Sequence, residues 1–156
     1  MSFVVVRVRS GIKVRHDIKE TMQYLNLTRV NHATIVPKND TTIGMLKKAK
    51  DYITWGHADE GTLTTLLGER GRLIGNKPLN DTVVKENSAY DSIASLASAL
   101  AKGEDTIKAV EGLKPVLRLH PPRGSKGWGG IKRHYSIGGA LGHRKDGIDP
   151  LIERMV

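Results

Sequence analysis

Leu117 to Lys145 reads LRLHPPRGSKGWGGIKRHYSIGGALGHRK, and it holds no carboxylate. Arg118, Arg123, Lys126, Lys132, Arg133, Arg144 and Lys145 supply fixed cations, and His120, His134 and His143 supply imidazoles. Guanidinium groups take phosphate bidentately and ammonium groups take it as point charges. Trp128 and Tyr135 add flat faces on which unpaired bases stack. Eight glycines between Glu111 and Asp146 let the backbone come close to a ligand. The chemistry this set favours is contact with a polyanion, RNA in particular. A plain linker has little use for Trp128, Tyr135 or Ile137. With so much glycine, the segment is expected to take its shape against RNA, where counterion release offsets the ordering cost.

Two further groups of cations join this set. Arg7, Arg9, Lys13 and Arg15 make the first sixteen residues basic, with no acid among them, and Lys47 and Lys48 sit on one helical face. The charge distribution is uneven. Residues 17–111 are close to neutral, residues 112–145 carry eight Lys/Arg and no acid, and the chain totals +9, with an isoelectric point near 9.9. A surface chosen for solubility alone mixes both signs, whereas one that meets a polyanion gathers one of them.

Other chemistries find little support. Gly138-Gly139-Ala140-Leu141-Gly142 has no apolar strand before it and no helix-forming run after it, so it lacks the context of a dinucleotide loop. The spacings of His120, His134 and His143 match no common metal site, and no thiolate accompanies them because cysteine is absent. Asp59-Glu60 and Glu104-Asp105 lie near expected helix starts, where acids complement the macrodipole. No nucleophile elbow or zinc-protease motif occurs. The expectation is no catalytic residue, no cofactor, no metal, no membrane span and a cytoplasmic location. The alternatives are an RNA-modifying or RNA-processing enzyme using the same basic surface, and a free ligand-binding regulatory domain.

The elements that must position these residues alternate. Phe3 to Arg9 reads as a strand with one face buried and the other turning basic. Asp17 to Glu20 reads as a capping box opening a helix through Asn26. His32 to Val36 is β-prone and ends at Pro37. Ile43, Leu46, Ala49 and Ile53 mark a second helix that closes at Gly56. Residues 57–112 read as mostly helical, with a strong helix at Ile93 to Leu100. Val116 to Leu119 is a last strand, Arg123 to Lys145 shows no period, and Asp149 to Met155 forms a short helix opened by Pro150.

Ile43-Gly44-Met45-Leu46, Tyr52-Ile53-Thr54-Trp55-Gly56, Glu69-Arg70-Gly71, Pro78-Leu79-Asn80-Asp81, Pro121-Pro122-Arg123-Gly124, Gly138-Gly139 and Gly142-His143-Arg144 follow one another in the chain. In that order they resemble the family of large-ribosomal-subunit protein thirty, in the archaeal-type form related to eukaryotic large-subunit protein seven. Ser125 departs from the pattern, which has a second glycine there. The long basic N-terminal extension of eukaryotic members is not seen. The resemblance implies an α+β fold, with β-α-β-α-(helical insertion)-β order. It also implies a three-stranded antiparallel sheet with helices on one face, ferredoxin-like, followed by an extended basic C-terminal segment. The expected organisation is a core of residues 1–56 and 113–122, an insertion of 57–112, and a Gly-rich segment of 123–156. The partners it implies are large-subunit rRNA and neighbouring ribosomal proteins, with no small-molecule substrate.

Overall fold

Phe3 to Val6 are four consecutive apolar residues, and a strand built from them needs cover on both faces. In the computed structural model, which describes residues 2–124 and 127–156, it receives that cover, where only one buried face was expected. Strand β1 (Ser2–Arg7) is buried at every position. Val4 and Val6 point to one core with leucines of α3 (Glu60–Arg70), α5 (Ile93–Lys102) and α6 (Ile148–Met155). Phe3 and Val5 point to a second core with Met22 of α1 (His16–Tyr24) and Leu46 of α2 (Asp40–Lys48).

The chain is a mixed α+β fold, and its described residues form a six-stranded sheet of order β4-β2-β1-β3-β6-β5. The other strands are β2 (His32–Pro37), β3 (Ile53–His57), β4 (Leu117–Arg118), β5 (Gly130–His134) and β6 (Gly139–His143), and α4 spans Asp81–Asn87. The sheet therefore has six strands where three were expected, and helices cover both of its faces where one was expected. β1 is antiparallel to β2 and β3, while β6 runs parallel to β3, with Thr54 opposite Gly142.

Two local readings explain the shortfall. The second helix was expected to run to Trp55, but α2 ends at Lys48 and Ile53 to His57 form β3 beside β1. Ile53 is buried as a strand residue facing α1 and α2, although its spacing from Ala49 imitates a helical stripe. The C-terminal segment was expected to be extended, yet β6 joins the sheet, and its Ala140 and Leu141 are buried with Val8.

Glycine makes this return possible. A Cβ on Gly139 would overlap the Arg133 carbonyl, and Gly142, at φ +84°, lies directly under the His134 ring. Only four residues, Tyr135 to Gly138, join parallel β5 and β6, far fewer than the dozen or so of an ordinary crossover. The short link suffices because β5 bulges, so that Gly130 faces Gly139 and His134 faces Leu141.

Helix ends are set by side chains. Asn39, Asp59, Asn80 and Ser92 each accept a bond from the backbone N–H three residues on, opening α2, α3, α4 and α5. α1 begins two residues earlier than the expected box, at His16, with Asp17 inside its first turn. Asp59 is thus a cap. Asp105 accepts the Tyr90 hydroxyl at 2.8 Å, so neither acidic pair forms an isolated acid–base couple.

Candidate nucleic-acid interface

Strand register places the ends of all the central strands. Arg7 at the end of β1 lies opposite Ile53 at the start of β3. His32 at the start of β2 lies opposite Arg118 at the end of β4. On the other flank, Gly139 at the start of β6 and Gly130 at the start of β5 share the same end. The link between the two basic segments is the small cluster of Val8, Ala140 and Leu141, against which Trp128 packs. It joins the acid-free N-terminus to the acid-free C-terminal strip, although residues 17–111 separate them in the chain.

At this end Arg9 lies over the Tyr52 ring, 5.2 Å from its centroid, and its Nη1 donates to the Asp51 carbonyl at 3.4 Å. Lys47 and Lys48 occupy the last turn of α2, where cations suit the helix dipole. Asp17 holds Arg15 at 2.9 Å and Lys48 at 3.8 Å, and both cations remain substantially exposed. Such surface pairs are weak and exchange readily for phosphate. Lys13, Lys47, Arg118, Lys132 and Arg133 are exposed. Their side chains make no hydrogen bond or ion pair among the described residues. β5 is the outer strand, exposed from Ile131 to His134, so Lys132 and Arg133 stand on an open edge.

Several expected contact residues are instead occupied by the fold. Arg7 is 5% exposed and donates from Nε to the Arg9 carbonyl at 3.0 Å and from Nη1 to the Leu27 carbonyl at 2.8 Å. Arg144 donates from Nε to Thr54 Oγ1 at 2.8 Å and from Nη2 to the Ala140 carbonyl at 3.0 Å. It also covers the Tyr135 ring, 4.7 Å from the centroid. His120 lies with Nδ1 2.7 Å from the Pro121 carbonyl oxygen and Nε2 2.8 Å from the Val156 main-chain oxygen, and donates to one of them through its single ring N–H. His134 Nδ1 faces Ser136 Oγ at 2.9 Å. Trp128 is half-buried against both the Val8 cluster and the larger core. Exposed Arg123 lies beside the end of α6, its carbonyl accepting from Arg154 Nε at 2.7 Å. Lys126 lies outside the described residues.

His143 and Lys145 are at the opposite end of the sheet. His143 stacks on Trp55 with ring centroids 5.8 Å apart, and His57 sits between it and Phe3, at 5.7 and 4.7 Å. Burial holds both histidines below their ordinary value, helped at His57 by Lys38 and at His143 by the neighbouring His57 and then Lys145. The three histidines of the basic strip thus lie in three different surroundings, and the structure does not bring them together. His32 is also held low, by burial and then by Arg118, Arg29 and Arg7. That effect exposes a residue which sequence reasoning passed over: Arg29, in the turn before β2, belongs to the same basic end. Its signal was the Arg29-Val30-Asn31 turn ahead of a β-prone run.

A family model described as ribosomal protein L30p/L7e matches residues 3–53, from β1 to the start of β3. Large ribosomal subunit protein uL30 of Methanosphaera stadtmanae is 46% identical over 154 residues, which is 99% of each chain. The protein of the same name from Methanocorpusculum labreanum is 48% identical over 153 residues, 98% of this chain and 99% of that one. The Methanococcus vannielii protein is 47% identical over 156 residues, the whole of both chains. The chain belongs to the uL30 family of ribosomal proteins. The match to the uL30 relatives runs past β3 through α3–α5 and the whole basic strip, so the C-terminal strands lie within the shared length. Family membership sets the chain among structural ribosomal components rather than catalysts.

Proposed function

We propose that the chain is a structural constituent of the large ribosomal subunit that holds rRNA at the basic end of its sheet. The observation that carries this reading is the Val8–Ala140–Leu141 cluster, which puts the two acid-free segments side by side. Exposed Lys13, Lys47, Arg118, Lys132 and Arg133 supply free cations there, and Arg15 and Lys48 add two weakly held ones. Arg9 is oriented by Tyr52. Phosphate contacts dominate such a surface, and the narrow major groove of A-form RNA leaves shape, not sequence, as the main feature read.

The remaining expected contacts take supporting parts. Arg144 and His120 fix the return of the strip and the C-terminus, so they present the cations and leave RNA contact to others. Tyr135, exposed under Arg144, and Arg123 and Lys145 extend the surface toward neighbouring ribosomal proteins or more distant rRNA. Residues 57–112 back the sheet as a helical support, and residues 123–156 form the RNA-facing segment. The ferredoxin-like kinship of the β1–α1–β2–α2–β3 unit belongs to the same reading, as does residence in the cytoplasmic ribosome. No helix among the described residues is long and apolar enough to cross a membrane.

Co-sedimentation tests this function. The protein is expected to travel with the large subunit and to leave it only at high salt, because each phosphate contact releases counterions. A protein that remains free of subunits at moderate salt would count against the assignment. Repeated turnover of rRNA fragments by the purified chain would favour the enzyme alternative.

A further inference from the structure

Arg7 raises a question that its two carbonyl bonds do not answer. Arg7 is 5% exposed as a whole residue, and an arginine so far withdrawn from water ordinarily has a carboxylate partner, because an uncompensated buried charge is strongly unfavourable. Here burial is the sole influence that moves its pKa downward, and no acid acts to raise it. The carbonyls of Arg9 and Leu27 orient the group without neutralising it. Its Nη2 makes no hydrogen bond among the described residues. Gly11 backs directly onto that nitrogen, since a Cβ there would stand 2.7 Å from it.

The unused side of the guanidinium faces a cleft of about 350 Å³ between the β1–α1 loop and α1. Ser10, Lys13, Lys19, Gln23 and Thr28 line it with Arg7, exposed Ile12 and Gly11 complete the wall, and the lining contains no acid among the described residues. Lys13 and Lys19 are exposed on its rim. Arg7 also shares its surroundings with Arg29 and Arg118, since all three act on His32, whose pKa is lowered by burial first and by these cations after it. A pre-oriented buried donor, two mobile ammonium groups and a loop glycine form an anion seat, not a site for an apolar or cationic ligand.

We infer that this cleft seats one phosphate group, with Arg7 as its fixed donor and Lys13 and Lys19 closing over it, and that in the assembled subunit the group is an rRNA phosphodiester. The second half rests on the ribosomal reading above; the first does not. The seat also accounts for the unpaired burial of Arg7: its counter-charge arrives with the ligand.

Arg7 supports the fold, so the test uses the rim. Inorganic phosphate is titrated into the full chain at constant ionic strength, with chloride as the balancing anion, and followed by NMR at the Arg7 Nε–H and the amides of Gly11 to Lys13. Saturable shifts at those positions are expected, together with a higher thermal midpoint in phosphate than in chloride. The double variant K13Q/K19Q should weaken phosphate at least about fivefold and leave the midpoint in chloride unchanged. Non-saturating shifts, or equal affinity in the variant, would overturn the seat. A second arm measures large-subunit rRNA. The same variant should cut the log–log salt slope by up to about 0.7–0.9, the share of the one phosphate the seat holds. An unchanged slope with intact phosphate binding would overturn the rRNA half and leave free phosphate as the source. Wild-type protein that binds phosphate but no rRNA would sink the ribosomal interface while supporting the seat.

Discussion

Leu141→Ala separates a strip folded by its own protein from one that is shaped by RNA. Leu141 is 4% exposed and packs in a small cluster with Val8, Ala140 and half-buried Trp128. Leucine-to-alanine changes in cores lose about 2–5 kcal/mol, and the small size of this cluster favours the lower part, about 2–3 kcal/mol. For a domain of this length each kcal/mol moves the thermal midpoint by about 2–4 °C, so a fall of about 5–10 °C is expected. Calorimetry on the purified protein, without RNA, reads it directly. Hydrogen exchange gives a second reading, because the Arg144 amide donates to the Trp55 carbonyl at 2.7 Å and should be protected in the free wild-type protein. A midpoint that moves by less than about 1 °C, with immediate exchange at Arg144, would refute the packing argument. The strip would then depend on RNA for its fold.

Two further outcomes follow from the same geometry. Arg144→Gln removes the bonds to Thr54 and Ala140 and should cost about 2 kcal/mol, the range of charge-assisted hydrogen bonds, with a measurable fall in midpoint; an unchanged midpoint would return Arg144 to the free surface. His32, His57 and His143 are held below their ordinary 6.5. The unfolded chain takes up these protons near that value while the folded chain does not, so stability present at pH 7.5 should be lost as pH falls below about 6.5. Chemical denaturation at pH 7.5 and 5.5 measures the loss, and equal midpoints would contradict it.

Local chemistry made the first half of the fold legible. Phe3 to Val6, the turn at Pro37 and the apolar spacing from Ile93 to Leu100 announced their elements in sequence. β3 was hidden because Ile53 continues the spacing of Ile43, Leu46 and Ala49, and because Gly56 imitates a helix end. β6 was hidden for another reason. Gly-Ala-Leu-Gly-His has too few large side chains to show a period of two, and its partner Thr54 lies 88 residues away. Small residues look like flexibility in sequence, but here they mark close packing under the Arg133 carbonyl and the His134 ring. α4 was passed over although Asn80-Asp81 carried its start signal.

The site was legible as charge and less so as geometry. The acid-free segments marked Lys13, Lys47, Arg118, Lys132 and Arg133, which stand exposed at one end of the sheet. Nothing in the sequence distinguished them from Arg7, Arg144 and His120, which have internal partners, because those partners are carbonyls and a threonine hydroxyl rather than acids. Charge counting sees acids only.

The central claim concerns that end of the sheet, and the salt dependence of binding to large-subunit rRNA tests it most directly. The variant K47Q/R118Q/K132Q/R133Q removes four cations that make no hydrogen bond or ion pair among the described residues, so its thermal midpoint should match that of the wild type. Its log–log slope against salt should be shallower by about 3, at 0.7–0.9 per phosphate contact. Parallel salt plots for variant and wild type, with the fold intact, would contradict the account.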